Sequence, residues 1–209
     1  MVGRRTAAAL AAVLGLVGVI GWSAGHVASA RTRLTLAPQG NEARYKVREQ
    51  LAGVDFPNDA IGRTSGITGM LLLDDHGKLI PDSSKILVDL TTLKSDKDRR
   101  DRFIQGRTLE TAQYPSAVLV PAELRNLRFP LPTSGALNFT LVGDLTIHGT
   151  TYRTTWQVKA TADGNSYSGT ASTGFVFDDF GLTKPRVAVV LSVDDSVHLE
   201  YDFKMVRAN

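Results

Sequence analysis

Residues 137–158, LNFTLVGDLTIHGTTYRTTWQV, decide the fold class of this chain. Apolar and polar side chains alternate through residues 137–147, and the alternation resumes after a break at residues 148–150. A period of two over this length predicts two long antiparallel strands with one apolar face and one polar face. The apolar face must then be covered either by the protein's own side chains or by another molecule.

Shorter alternating runs predict further strands along the rest of the chain. The last run is the clearest, because Val197 and Leu199 begin an apolar series whose intervening residues are polar. The Asp-Gly-Asn sequence at residues 163–165 is typical of a tight hairpin turn. About eight strands with regularly spaced turns are typical of a barrel or a sandwich, so the predicted class is all-β. The predicted strands lie at residues 44–51, 67–73, 85–90, 117–120, 137–147, 152–158, 167–177 and 197–205.

Residues 1–30 have the pattern of an export signal. Arg4 and Arg5 precede an almost wholly apolar run at residues 7–22. Ala-Ser-Ala at residues 28–30 then forms an A-x-A cleavage site. We therefore expect a signal peptide that is removed from the mature protein.

The alternative is an uncleaved membrane anchor formed by residues 6–24, which would bring the protein to a membrane surface. Either interpretation predicts an extracytoplasmic protein, periplasmic or secreted. After the N-terminal segment, residues 31–43 are predicted to be a loose linker. Residues 44–209 are predicted to be a single domain.

Composition limits the function classes. The chain has 209 residues, and about 179 of them follow residues 1–30, which is enough for one domain with a sizeable core. These contain 22 Lys and Arg against 21 Asp and Glu, with the two signs interspersed. Such a balance provides no basic face, so nucleic acid is not an expected partner. The absence of cysteine excludes disulfides and a thioether-linked lipid.

A charged segment that begins at Ser95 and ends at Gly106 breaks the strand pattern and predicts a short helix. Ser95 is a suitable N-cap, and Gly106 is a suitable end. Asp98 and Arg102 are spaced for an ion pair along the helix. Phe103 is able to plug one end of a barrel. The segment is interpreted either as a charged lid beside a cavity mouth or as a solvated helical face, and its charge content favours the solvated face.

The sequence offers little catalytic chemistry. The four histidines form no metal-spaced pair, so no metal site and no cofactor is predicted. Acid pairs at residues 178–179 and 194–195 fall in predicted turns, where carboxylates usually accept bonds from the backbone. No nucleophile elbow or phosphate-binding glycine loop is present. No catalytic residue is assigned, and an enzyme that uses Asp178, Asp179 or His148 is the least favoured alternative.

Four segments carry a resemblance to a known family. They are LVDLTTLKSDKDRRDRFIQ at residues 87–105, TAQYPSAVLV at 111–120, GDLTIHGTTYRTTWQV at 143–158 and FDDFGL at 177–182. In this order, followed by an alternating C-terminal strand, they resemble the YceI-like family of exported polyisoprenoid-binding proteins. The resemblance covers essentially the whole chain after the N-terminal segment.

The resemblance implies an eight-stranded antiparallel lipocalin-like barrel with one short helix between strands, and a long isoprenoid chain held in an apolar tunnel. Inward-facing residues of the predicted strands are then the candidate ligand-binding residues, and the alternative for each of them is ordinary core packing. The candidates are Tyr45, Val47, Leu71, Leu73, Leu137, Phe139, Leu141, Tyr152, Trp156, Phe175, Phe177, Leu199, Tyr201 and Phe203.

Two hypotheses of function follow, of which the first is the prediction and the second is the alternative. The first is an exported lipid-binding protein that holds a polyprenyl lipid, a quinone or a carotenoid for transport or storage. The second is an interaction module whose barrel is filled by its own side chains and whose loops contact an envelope partner. Lipid extracted from the purified protein would distinguish them, and a homodimer is compatible with either.

Overall fold

The computed structural model of the protein describes residues 31–208, so the signal peptide or anchor predicted for residues 1–30 lies outside the described residues. Within residues 31–208, no helix combines the length and the apolar character that a membrane crossing requires. A single α-helix among the described residues, α1 (Asp98–Phe103), continues into a π-helical turn (Ile104–Thr108). The strands of this part of the chain are β1 (Thr32–Leu36), β2 (Glu42–Leu51), β3 (Asn58–Thr64), β4 (Ile67–Leu73), β5 (Lys85–Asp89), β6 (Lys94–Ser95), β7 (Ser116–Arg125), β8 (Ser134–Ile147), β9 (Thr150–Asp163), β10 (Ser166–Val176) and β11 (Val190–Ala208).

The strands form one closed barrel. Their order around it is β1-β4-β5-β7-β8-β9-β10-β11, with β11 pairing back onto β1. β2 continues β1 along the edge of β11 and pairs with β3, which in turn pairs with β6. β1 with β2, β3 with β4, and β5 with β6 therefore act as three interrupted strands of an eight-stranded antiparallel barrel. This confirms the predicted fold class.

The segment that decides the fold class forms the longest hairpin described. β8 and β9 pair in one register over all 14 residues of each strand. His148 and Gly149 make the turn with φ angles of 51° and 75°, as the break in the alternation predicts. Trp156 and Val158 are buried, whereas Arg153 is exposed. The period of two therefore separates the inner and outer faces of the barrel.

Asn41 joins the interruption between β1 and β2 to the rest of the barrel. Its Nδ2 donates to the carbonyl oxygen of Ala37 at 2.7 Å. Its Oδ1 accepts the N–H of Lys204 at 3.0 Å and the hydroxyl of Tyr201 at 3.3 Å. Because Asn41 is buried, these bonds replace ladder bonds that the interruption removes. The barrel therefore closes across the break.

The two ends of the barrel differ in packing. At one end, where β1 begins and β11 ends, Leu34, Leu73, Leu131 and Met205 are buried and fill the interior; we call this the packed end. At the other end, where β2 ends and β11 begins, inward-facing side chains line a cavity; we call this the wide end. The space available to a ligand therefore lies mainly in one half of the barrel.

The structure corrects two expectations about local structure. Residues 31–43, predicted to be a loose linker, contain β1, which pairs with β4 and β11 and buries Leu34. β3 is a strand that the sequence did not predict. Its inward-facing residues are Ala60, Gly62 and Thr64, which are too small or too polar to produce an apolar alternation.

An ion-pair cluster on the outer face of the barrel links β2 to β11. Arg44 Nε donates to Glu200 Oε2 at 2.7 Å, and Arg44 Nη1 donates to Asp202 Oδ2 at 2.6 Å. Lys46 Nζ lies 2.8 Å from the other carboxylate oxygen of Glu200. Hydrogen bonds from Lys46 and Arg44 lower the pKa of Glu200, and the hydrogen bond from Arg44 lowers the pKa of Asp202.

We expect Arg44→Met to make the stability of the barrel less dependent on pH in acid. Carboxylates with lowered folded-state pKa values stabilise the protein above their unfolded values of about 4, and this contribution is lost as the pH falls through the folded values. Because the groups are partly exposed, the free energy of unfolding should fall by about 1 kcal/mol at neutral pH and hardly change at about pH 2. Urea denaturation across this range measures the effect. Arg128→Met, at an exposed position of the packed end, is the control, and an equal loss at both pH values would contradict the prediction.

Candidate ligand cavity

The wide end of the barrel contains a cavity of about 730 Å³. This volume falls within the range of about 300–1,000 Å³ that is usual for small-molecule sites. Its wall is formed by inward-facing residues of β2, β3, β5 and β7 to β11, together with α1 and the π-helical turn. Exposed residues such as Arg102 and Val189 are part of the lining, so the cavity opens to solvent at a mouth between α1 and the start of β11.

A second, smaller cavity of about 90 Å³ lies toward the packed end and is lined mostly by leucines and aromatic residues. Ile86, Leu119, Trp156 and Tyr201 line both cavities and therefore lie where the two approach each other. Trp156 Nε1 donates to Thr154 Oγ1 at 2.9 Å, which fixes the indole at this position. The interior is thus a tunnel that is wide on one side of Trp156 and nearly filled on the other.

The structure distributes the sequence-predicted residues between these two cavities. Tyr152 lines neither of them, because it lies near the wide end, where it is 43% exposed and meets the ring of Phe180 edge-on. The large cavity is lined by Tyr45, Val47, Trp156, Phe175, Phe177, Leu199 and Tyr201. The small cavity is lined by Leu71, Leu73, Leu137, Phe139, Leu141 and Phe203, and also by Trp156 and Tyr201.

Sequence reasoning did not identify the part of the wall that lies outside the long strands. Ile104 and Leu109 reach the large cavity from the π-helical turn and the residue after it. Val187 and Val190 reach it from the segment before β11 and the first residue of that strand. A signal was present, because Ile104 and Leu109 are apolar exceptions within a polar stretch, and Val187 and Val190 belong to the apolar run Val-Ala-Val-Val-Leu at residues 187–191. Phe103, expected to plug a barrel end, also lines this cavity.

A buried ion pair holds α1 across the wide end. Arg100 Nη2 lies 2.6 Å from Glu49 Oε1 on β2, and the two side chains are 14% and 8% exposed. Arg100 also pairs with Asp96. Burial alone would lower the pKa of Arg100, but the hydrogen bond with Asp96 and the charge of Glu49 raise it, so the guanidinium stays charged. α1 is therefore attached to the barrel wall by charge.

Asp101 makes a second attachment. Its Oδ1 accepts the N–H of Ser95 at 2.8 Å and the Ser95 hydroxyl at 2.6 Å.

The helix does not begin as the sequence predicts. Ser95 is the last residue of β6 and does not cap the helix, whose N-cap is Lys97. Among the described residues Asp98 does not pair with Arg102, and the helical segment continues through Gly106 as a π-helical turn. Asp98, Arg99 and Arg102 are exposed and form the expected solvated face, whereas Arg100 and Asp101 face the barrel.

Two hydroxyls in the cavity wall have no hydrogen-bond partner among residues 31–208. One is Thr108 Oγ1, which is buried. The other belongs to Tyr45, whose ring lies against Gly62, where a Cβ would approach it to 2.2 Å. Burial raises the pKa of Tyr45, so its hydroxyl remains a neutral donor. The Tyr45 hydroxyl is therefore available to the polar end of a bound molecule, and Thr108 Oγ1 is a buried hydroxyl of a lining residue without a partner.

The residues considered for catalysis are not in the cavity wall. His148 Nε2 lies 2.7 Å from Glu110 Oε2, and its ring packs against Tyr114. Asp179 Oδ2 accepts the backbone N–H of Val176, so this carboxylate serves a turn, as the sequence predicts. Among the described residues, neither His148 nor Asp179 nor Asp178 lines either cavity.

The ligand atoms of Asp74, Asp75 and His76 lie within 4.8 Å of one another on an exposed turn between β4 and β5. Asp74 Oδ1 accepts the backbone N–H groups of His76 and Lys78, so its carboxylate organises the turn. His76 in turn lies 2.7 Å from Asp75. Asp74, Asp75 and His76 do not line either cavity, and the turn that they form explains why they lie together.

A closed antiparallel barrel around an open apolar cavity defines a lipocalin-like barrel protein. The sequence model of the YceI-like domain matches residues 34–205, and this chain belongs to the YceI-like family. The UPF0312 protein of Pseudomonas putida strain W619 is 31% identical over 183 residues, which are 79% of this chain and 91% of the relative. The UPF0312 protein of Yersinia enterocolitica is 22% identical over 196 residues, which are 87% of this chain and 95% of the relative.

Solved structures share the fold at low sequence identity. A polyisoprenoid-binding domain from Saccharophagus degradans superposes with a TM-score of 0.64 at 12% identity and covers 84% of this chain and 98% of its own. BcnA of Burkholderia cenocepacia gives a TM-score of 0.56 at 13% identity, with 78% and 95% covered. A YceI protein of Campylobacter jejuni gives 0.54 at 14% identity, with 77% and 90% covered. These similarities support the barrel fold.

We expect Arg100→Gln to release α1 from β2. The substitution leaves Glu49 buried without its cation, and breaking a buried pair in this way costs about 3–5 kcal/mol. Local unfolding of the helix relieves this cost, so the backbone amides of residues 98–108 should exchange hydrogen at least about ten-fold faster, while β8 and β9 keep their protection. Hydrogen exchange followed by mass spectrometry measures the effect. Arg48→Gln, on the outer face of β2, is the control, and unchanged exchange in α1 would show that apolar contacts alone hold the helix.

Proposed function

We propose that this protein binds a polyisoprenoid-type molecule, such as a polyprenyl lipid, a quinone or a carotenoid, in its barrel and carries or stores it without catalysis. The observation that carries the proposal is the open, apolar cavity of about 730 Å³ inside a closed barrel. The family and the name of the Saccharophagus degradans domain support the ligand class. The hollow wide end also favours this function over an interaction module with a filled barrel.

The shape of the interior suits a long chain better than a compact ligand. β8 and β9 each have 14 residues, and strands of this length extend about 46 Å along their own direction. Because barrel strands are tilted by roughly 40°, the tunnel axis is shorter, at about 35 Å. A flexible prenyl chain can thread past Trp156 toward the small cavity if neighbouring side chains change rotamer.

Burial of the chain alone does not explain selective binding. Each CH₂ group gains about 0.8 kcal/mol on leaving water, but a lipid resides in a bilayer that offers nearly the same gain. Selectivity must therefore come from the fit of the tunnel and from polar contacts to the headgroup. The Tyr45 hydroxyl and Thr108 Oγ1 are uncharged polar groups of lining residues that lack a hydrogen-bond partner within residues 31–208. We infer that they donate to a carbonyl or phosphate oxygen of the ligand.

The proposed setting is extracytoplasmic, in the periplasm or outside the cell. Its support is the export pattern of residues 1–30, with Arg4 and Arg5 before an apolar run and an A-x-A site. A carrier of this kind would shield an apolar lipid from water between membranes. The placement of His148, Asp178 and Asp179 outside the cavity wall favours binding over catalysis at the cavity.

We expect the protein purified from an exporting host to carry one extractable isoprenoid lipid per chain. Native mass spectrometry followed by solvent extraction identifies it. Val197→Trp places a large side chain at a buried, cavity-lining position and should reduce the bound lipid at least about ten-fold while thermal unfolding remains cooperative. Val206→Trp, at an outward-facing position of the packed end that is 40% exposed, should carry as much lipid as the wild type. An unmodified mass in several wild-type preparations would overturn the proposal in favour of a protein partner.

We expect Tyr45→Phe combined with Thr108→Val to weaken binding of ligands that have an oxygen-bearing headgroup. Loss of one or two hydrogen bonds should reduce affinity for a ubiquinone about ten-fold. Squalene has no headgroup, so its affinity should not change. Fluorescence competition against a bound polyene probe measures both. Equal losses for the two ligands would show that these residues shape the tunnel and do not bind a headgroup.

A further inference from the structure

Exposed apolar side chains gather on one edge of the wide end. Phe56 is 78% exposed, Leu191 is 67% exposed, Val189 is 50% exposed and Val54 is 44% exposed. They account for four of the seven exposed large apolar residues described in the chain. Phe56 and Val54 lie in the loop between β2 and β3, Val189 lies directly before β11, and Leu191 is the second residue of that strand. We call these four residues the apolar rim.

The two segments of the apolar rim are adjacent. The backbone N–H of Ala52 donates to the carbonyl oxygen of Val189 at 3.0 Å, and Leu51 pairs with Val190. Leu51, Val189 and Val190 also line the large cavity. Val189, which is both exposed and part of the lining, therefore connects the apolar rim with the interior of the barrel. A surface of this kind on a water-soluble protein usually marks an interaction site.

The opposite edge of the mouth is basic. Arg99, Arg102 and Arg107 line the mouth, are exposed, and form no ion pair with any residue that the structure describes. Glu49, which also lines the cavity, is already neutralised by Arg100. We call Arg99, Arg102 and Arg107 the basic rim. Free guanidinium groups at such an edge favour an anionic partner.

We propose that the mouth docks onto an anionic lipid bilayer, with the apolar rim inserted among the acyl chains and the basic rim on the headgroups. This proposal rests on the proposed function, because the ligand of the cavity is a membrane lipid. Exposed aromatic and aliphatic side chains beside arginines are the combination by which proteins lie on membrane interfaces. Docked in this way, the cavity faces the bilayer, and a lipid enters it without crossing water.

The charge of one residue provides a test of the electrostatic contribution to docking on an anionic bilayer. Asp55 lies between Val54 and Phe56 in the loop of the apolar rim and has no ion-pair partner among residues 31–208. Its carboxylate opposes approach to an anionic surface. Asp55→Asn should therefore strengthen binding to anionic vesicles, and should leave binding to neutral vesicles nearly unchanged.

The absence of cysteine allows the orientation to be measured directly. The full chain, purified in the form that an exporting host releases, is labelled with an environment-sensitive dye at Leu191→Cys or, as the control, at Val206→Cys on the packed end. Vesicles of phosphatidylglycerol and phosphatidylcholine in equal parts are compared with vesicles of phosphatidylcholine alone. The dye at position 191 should enter an apolar environment on anionic vesicles and be quenched by brominated lipid. The dye at position 206 should not.

Two sets of substitutions separate the two rims. Arg99→Gln, Arg102→Gln and Arg107→Gln together should weaken binding to the anionic vesicles about 100-fold, and added salt should have a similar effect. Arg31→Gln, Arg33→Gln and Arg128→Gln remove the same charge from exposed positions of the packed end and should leave binding unchanged. For the apolar rim, the dye is attached at Val189→Cys. In this labelled protein, Phe56→Ser together with Leu191→Ser should abolish insertion of the dye into the vesicles.

Several results would overturn the proposal. A dye response at position 206 and not at 191 would mean that the chain meets the bilayer by its packed end. A response at 191 that needs no vesicles and rises with protein concentration would assign the rim to a second copy of the chain. Lipid extracted from each preparation is measured in parallel. Bound isoprenoid without docking would contradict this inference alone, whereas docking without bound isoprenoid would contradict the proposed function.

Discussion

The barrel depends on one long strand that pairs with neighbouring strands along both of its edges. β11 has 19 residues and pairs with β10 along one edge, while its other edge pairs first with β2 and then with β1. An eight-stranded sheet without this closure would expose two unpaired edges. Asn41 allows the change from β1 to β2 without leaving buried backbone groups unpaired, so the interruption does not open the barrel.

The cavity follows from where the interrupted strands lie. At the wide end, β3 contributes Ala60, Gly62 and Thr64 to the inner face. The Tyr45 ring occupies the space above Gly62, whereas Ala60 and Thr64 line the cavity and leave space that valines and leucines would fill. The gap beyond β6 is covered by α1 and the π-helical turn instead of by another strand. At the packed end, leucines from β1, β4 and the loop before β8 meet and close the interior. The same closed barrel is therefore hollow in one half only.

The sequence predicted the class of fold because long strands with one apolar face carry their own signal. The alternation in β8, β9 and β11 separates inner from outer residues without any knowledge of their partners. The alternation does not reveal how far along the barrel axis a residue lies. Tyr152 therefore alternates in phase with the inward-facing residues of β9 and yet is exposed at the wide end. β3 was missed because its inward residues are small. The burial of Arg100 could not be predicted, since its partner Glu49 is 51 residues away in sequence.

The attachment of α1 by charge has a consequence for the site. Apolar residues of comparable size in place of a buried ion pair often give equal or greater stability, so stability alone does not account for Glu49 and Arg100. A helix held by apolar contacts would direct Phe103 and Ile104 into the barrel wall and fill the wide end. Because the ion pair and the Asp101–Ser95 bonds hold α1 from its polar side, Phe103 and Ile104 are left lining the cavity. The polar attachment of the helix therefore keeps its apolar side chains available to a ligand.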